Sequence, residues 1–343
     1  MERLLITLIL VCTMNNITNA QNPFYGQYHT PHEAVPFDRI ETEHYEPAIL
    51  EGIKLQNAEI EAIIQNPEKA DFTNTIEAFE ESGELLDKVV AVFGNMLSAE
   101  TNDDLQELAQ KIMPLLSEHS NNITLNKKLF ARVKEVYNQK ETLQLTEEQK
   151  QLLENAYNSF IRHGANLEGE AREEYRRLTT ELSKLTLTFS ENNLKETNAY
   201  QMLLTKKESL AGLPEIIIEA AAETAKNEEK EGWAFTLHAP SYIPFMTYSD
   251  NRDLRQKLYM AYNTKCTHDN EFNNIDIVKK IANTRMKIAQ LLGYKDYAEY
   301  TLKKRMAENS KSVYKLLNQL LEAYTPTAVS YTHLRAHETD SYL

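Results

Sequence analysis

His32-Glu33-Ala34-Val35-Pro36 opens like the helical zinc motif His-Glu-x-x-His. In that motif a four-residue step sets two imidazoles on one helix face, and the intervening glutamate deprotonates a metal-bound water. Pro36 stands where the second imidazole belongs, and proline opposes the helix that the motif needs. The match is a chance near miss. His333 and His337 have the right step, yet Leu334 holds the place of the general base and Glu338 follows the second histidine. At most that pair would scavenge a metal weakly. Cys266, His268 and Asp269 suit a reactive thiol or half of a metal site, but a surface loop after a helix is the favoured reading. There is no Gly-x-Ser-x-Gly elbow, no phosphate-cradling glycine loop and no Cys-x-x-Cys pair. The sequence thus carries no complete residue set for metal, acyl-transfer or nucleotide chemistry, and it nominates no catalytic residue and no metal ligand.

The aromatic run Tyr242-Ile243-Pro244-Phe245-Met246-Thr247-Tyr248 leaves two readings open. It lines a peptide-binding channel, or it fills the joint between two packed layers, which is the commoner use of aromatics between prolines. Bulk composition narrows the partners. The chain has 343 residues, 42% of them hydrophobic and 26% charged, enough to bury a core. A formal net charge of -14 disfavours nucleic acid and anionic membranes. Nine glycines and ten prolines leave little punctuation for a many-stranded protein, so the fold class is mainly α.

Residues 1–20 place Arg3 before the apolar run from Leu4 to Val11 and end in Thr18-Asn19-Ala20, the pattern of a cleaved export signal. Val11 before Cys12 disfavours lipidation. The apolar run is too short to span a bilayer, so no membrane association is expected after cleavage. Cys266 then remains as the only cysteine, which leaves no intramolecular disulfide.

An extended arm covers residues 21–39, and helices follow. Thr42 is read as one N-cap, and Asn74 with Glu77 as a capping box opening a helix whose stripe is Ile76, Phe79, Leu86, Val89, Phe93 and Leu97. A third helix carries Leu105 to Leu116. Thr146 with Gln149 forms another capping box, and a break is expected near Gly164. Leu167, Ala171, Tyr175, Leu178, Leu182, Leu185 and Phe189 then recur in steps of three and four, the clearest helix of the chain. Residues 199–205 and 233–238 read as short strands of a small β-hairpin-like insertion around a helix-like alanine stretch. Asp250 is expected to cap a helix to about Asn263. Further helices are expected from Asn274 to Leu292, from Asp296, and from Ser310 to Tyr324, stopping before Pro326.

Several motifs occur together and in order. They are Phe72-Thr73-Asn74-Thr75-Ile76, Leu129-Phe130-Ala131-Arg132-Val133, Gly212-Leu213-Pro214, Asn251-Arg252 with Arg255 and Ala261-Tyr262, and Leu291-Leu292-Gly293-Tyr294. Over roughly Phe24 to Ala328 this ordered set resembles the amino-terminal half of the thimet oligopeptidase and oligopeptidase A family, closest to its peptidyl-dipeptidase branch. The resemblance implies a helical, two-lobed, clam-like metallopeptidase that uses one zinc to cleave short peptides, exported here and periplasmic, and monomeric at full length. It implies a division into a signal peptide (1–20), an amino-terminal helical domain (21–240) and the start of the catalytic helical domain (241–328). Residues 329–343 depart from the family's pattern and read as a non-native tail. No catalytic, zinc-binding or substrate-gripping position of the family has a counterpart here, so the chain is expected to be an inactive fragment. The alternative is a non-catalytic exported helical protein that binds peptides.

Overall fold

The computed structural model describes residues 22–340. The expected export signal, with Cys12, lies outside the described residues. An arm runs along the surface before the first helix, α1 (Thr42–Gln65). Phe24 anchors it, fully buried and 5.3 Å from the Tyr45 ring, which in turn lies 5.2 Å from Phe93. Lys88 clasps it from above: its ammonium donates to the carbonyls of Phe24 (3.3 Å) and Gly26 (2.8 Å) and sits 4.0 Å over the Tyr28 ring.

Glu41, not Thr42, holds the N-cap position of α1, because its backbone N–H is satisfied by Nδ1 of His44 at 2.9 Å. The expected single helix beyond Asn74 is also corrected. Asp71 is the cap, and it exchanges hydrogen bonds with Asn74 (2.7 and 3.1 Å) at the head of a π-helical turn, Phe72–Glu77. The chain breaks again at Gly83, whose φ of +88° suits glycine and where a Cβ would run into the Gln56 amide. Only then does α2 (Glu84–Ala99) begin. The break lets one continuous-looking stripe feed two cores. Ile76 packs with Ile60, Phe130 and Phe160, whereas Leu86, Val89 and Phe93 pack with Phe24, Tyr45 and Ile112.

Next come α3 (Asp103–Thr124), α4 (Lys127–Asn138) and α5 (Glu147–Arg162). Thr146 and Gln149 cap α5 reciprocally, at 3.0 and 3.3 Å, as the sequence predicts. Gly164, at φ +85°, ends that run and leads to α6 (Gly169–Ala199), a helix of 31 residues. The insertion is a two-stranded antiparallel sheet of β1 (Gln201–Leu204) and β2 (Trp233–Thr236), in register from Gln201 opposite Thr236 to Leu204 opposite Trp233. Between the strands lies α7 (Glu215–Asn227).

The aromatic run forms a helix, α8 (Ala239–Tyr248): Pro240 falls in its first turn, where proline is tolerated, and Pro244 lies inside it at the loss of one backbone bond. Asn251, not Asp250, caps α9 (Arg252–Asn263), accepting from the Leu254 N–H at 3.1 Å. Then follow α10 (Ile275–Leu291), α11 (Tyr297–Leu302) capped by Asp296, and α12 (Ser310–Asp340). The last does not stop before Pro326. A proline removes one backbone bond, and the good helix formers on both sides carry the helix through. Phe245 and Leu258 share a third core with Met202 and Phe235. A fourth, smaller core sits where Leu125, Tyr175 and Leu178 meet Ile288 of α10. Among the described residues no helix is long and apolar enough to cross a membrane.

Apart from the half-buried Val313, the described side chains of α12 are exposed, Tyr314, Leu317, Leu321 and Tyr324 included. Such a stripe promotes association and adds little to the fold. A chain ending at Asn309 should therefore keep its unfolding free energy in urea within about 0.5 kcal/mol of the full chain and lose concentration-dependent light scattering. By contrast, Leu178→Ala in the fourth core should lower unfolding free energy by about 2–5 kcal/mol in the same denaturation measurement.

Candidate functional site

The histidines singled out by spacing do not converge. His32 sits in an exposed turn at φ +59°, with no helix to present it. His333 lies on the exposed α12, and the side chain of His337 lies outside the described residues. Among the described residues no group of three or more His, Cys, Asp or Glu side chains is placed to hold a metal ion. The residues described here therefore do not fit a zinc site.

The Cys266 loop is more than a passive surface loop. It is stitched to the last turns of α6 by a carboxylate that the sequence reading passed over, Glu196. One Glu196 oxygen meets Nδ1 of His268 at 2.6 Å, and the other accepts the backbone N–H of Cys266. Lys265 donates to the Thr197 hydroxyl at 3.0 Å. Asn274 closes the loop: its N–H donates to the Cys266 carbonyl (2.8 Å), and its side chain reaches the Phe189 carbonyl (3.0 Å) while accepting from Asn192 (2.9 Å). Cys266 itself is buried, at φ +58°. Burial, helped by the Glu196 carboxylate, pushes its thiol up to about 11, so at neutral pH the thiolate is scarce and the group is inert. Asp269 is exposed and takes no part. A signal for Glu196 was present. It continues the three-and-four stripe of α6 seven residues after Phe189, where an apolar residue is expected.

Beside this clasp, α8 and α9 form the surface best suited to a peptide. Tyr242 stacks on Tyr262 with ring centroids 4.1 Å apart, and the Lys265 ammonium lies 4.6 Å from the Tyr262 ring. Next to the stack, Met246, Arg252, Arg255, Tyr259 and Met260 line a shallow groove of about 380 Å³. Arg255 is oriented by its bond to the Ser249 carbonyl, while the exposed Arg252 stands at the first turn of α9. The run from Tyr242 to Tyr248 therefore divides its work. Phe245 fills core against Phe235 (4.6 Å, edge-on), whereas Ile243 and Tyr248 are more than half exposed. The groove offers aromatic and thioether surface beside two guanidinium groups, which suits an extended peptide bearing a carboxylate.

Glu196 carries a testable stability consequence. Burial raises its pKa, but hydrogen bonds from His268 and Cys266 outweigh this and hold it below the ordinary carboxylate value. A depressed folded-state pKa contributes stability above the unfolded value and loses it as pH falls through the folded one. Glu196→Gln should cost about 1–3 kcal/mol at pH 7, with the difference from the unaltered chain shrinking as pH drops below the carboxylate range, read from urea midpoints. The Cys266 thiol should resist iodoacetamide in the native chain at pH 7 and react fully in denaturant; rapid native alkylation, followed by mass, would contradict the clasp.

Comparison with known proteins gives the site its context. Residues 245–341 match the model of peptidase family M3, a range that begins within α8 and takes in α12. The dipeptidyl carboxypeptidase of Escherichia coli K12 is 34% identical over 303 residues, 88% of this chain and 44% of that protein. Oligopeptidase A of Salmonella typhimurium is 30% identical over 309 residues, 89% of this chain and 45% of its own length. Oligopeptidase A of Haemophilus influenzae is 32% identical over 295 residues, 85% and 43% respectively. The chain spans less than half the length of these curated relatives. By its sequence the chain is similar to the members of peptidase family M3 over the part of their length that it spans.

Proposed function

We propose that this chain is part of an exported, zinc-dependent metallopeptidase of short peptides, and that alone it binds peptide without cleaving it. The carrying observation is the 34% identity to a dipeptidyl carboxypeptidase across 88% of this chain but only 44% of that protein. Removal of dipeptides from the carboxyl end is the corresponding reaction for the whole polypeptide. The zinc and the groups that act with it belong, on this reading, to the portion of the relatives that this chain does not span. The α8–α9 groove supplies a wall for the peptide, with Tyr259 and Met260 against its side chains and Arg252 near its carboxylate. Residues 1–20 direct export to the periplasm and are then removed. Residues 329–343 are a foreign extension, a reading carried by their sequence alone.

The test uses the purified chain with added zinc and a pentapeptide bearing a free carboxyl terminus. Mass spectrometry should find the peptide intact, while fluorescence anisotropy of a labelled copy shows saturable binding. Tyr259→Ala should weaken that binding about tenfold, or about 1.4 kcal/mol. Release of a dipeptide by this chain would overturn the proposal that it is inactive alone. Absence of any peptide binding would overturn the role given to the groove.

A further inference from the structure

A turn that does not line the α8–α9 groove fixes one of its guanidinium groups. Leu210 and Leu213 are buried in the third core with Phe245 of α8 and Leu258 of α9, so the turn between them is rooted beneath both helices. Within that turn Gly212 has φ +86°, and its backbone packs directly on the link between α8 and α9. A Cβ added there would overlap the Tyr248 carbonyl oxygen and stand 2.9 Å from the Asp250 nitrogen. Glycine is the residue that allows both the conformation and the approach.

Contact becomes orientation through a single peptide unit. The Asp250 N–H donates to the Ala211 carbonyl at 2.9 Å. In a trans peptide the carbonyl of the same unit points the opposite way, and this one, from Ser249, accepts from Arg255. Ser249 is buried, which strengthens the link. The turn at Gly212 therefore sets the Ser249–Asp250 plane, and that plane sets Arg255, which lines the groove. Arg255 keeps the rest of its donor fork free, because among the described residues no carboxylate pairs with it.

We propose that Gly212 is a positioning residue for the groove, and that Arg255, aimed through the Ser249–Asp250 peptide unit, makes the groove prefer a peptide with a free terminal carboxylate over one capped as an amide. The proposal rests on the peptide-binding reading of this groove. A guanidinium held by one N–H presents its remaining donors to a carboxylate at a set angle. The exposed Arg252 adds charge to the site without that direction.

The experiment measures anisotropy at pH 7 with two labelled pentapeptides of one sequence, one with a free carboxyl terminus and one amidated. The full chain should bind the free form about tenfold more tightly. Gly212→Ala should shrink that preference to about twofold while the amidated form keeps its affinity within about twofold. Asp250→Pro removes the N–H without adding a Cβ at Gly212, and Ser249, at φ -60° and ψ 128°, accepts a following proline. It should act alike, and it carries the test should Gly212→Ala not fold. Arg255→Lys should lose the preference, and Gly212→Ala should then change nothing further, as expected of two residues acting through one link. Leu178→Ala, destabilised in a different core, should keep the preference. An unaltered preference in Gly212→Ala, an effect that adds to that of Arg255→Lys, or no preference in the full chain would overturn the positioning role and leave the groove standing. Binding of neither peptide would overturn the groove itself and this proposal with it.

Discussion

Along α6, two contacts at opposite ends hold the two halves of the chain in one body. Near its start, Tyr175 and Leu178 close a small apolar core against Ile288 of α10 and Leu125 at the end of α3. Near its end, Glu196 and Thr197 take hold of the loop that joins α9 to α10. The apolar core supplies burial, and the polar clasp fixes register, because a carboxylate with a backbone N–H on one oxygen and an imidazole on the other tolerates little sliding. Arg162 adds a third tie at the end of α5, donating to the Tyr300 carbonyl at 3.0 Å with its guanidinium 4.1 Å from the Tyr300 ring. Without these ties, α8 and α9 would have little more than the third core to fix them.

Placement of the groove follows from that arrangement. α8 is pinned from beneath by Phe245 in the core it shares with both strands, and α9 is pinned at its far end by the Glu196 clasp. The outer faces of both helices are then free to present Tyr242, Tyr259 and Tyr262 at fixed spacing. An exposed aromatic surface on rigid supports is suited to binding, and among the described residues no group of three or more His, Cys, Asp or Glu side chains stands beside it to hold a metal ion.

The helices were legible in the sequence because apolar residues at steps of three and four report burial directly, and α6 was the clearest for that reason. The hairpin was legible from the change to clustered apolar residues on either side of an alanine stretch. Caps were legible where both partners of a reciprocal pair are local, as at Thr146 and Gln149. They were misplaced where two adjacent residues have similar capping ability, as with Asp250 and Asn251, because the choice is then made by packing. The interruption at Gly83 was hidden by a stripe that runs on unbroken in sequence while its members go to different cores. Glu196 was missed because a carboxylate on an apolar stripe looks like an ordinary solvated helix residue until its partners, some seventy positions later, are brought beside it. The family was legible through ordered motifs, none of which is decisive alone.

Reading the coding sequence from source DNA past the codon for Ala328 tests the central claim most directly, because it asks whether these helices are the opening part of a longer M3 peptidase. The account predicts a frame that continues into a helix bearing His-Glu-x-x-His followed by a further carboxylate, the set that a catalytic zinc requires. A frame that keeps residues 329–343 and stops after Leu343 would contradict it and leave a peptide-binding protein with no zinc chemistry of its own.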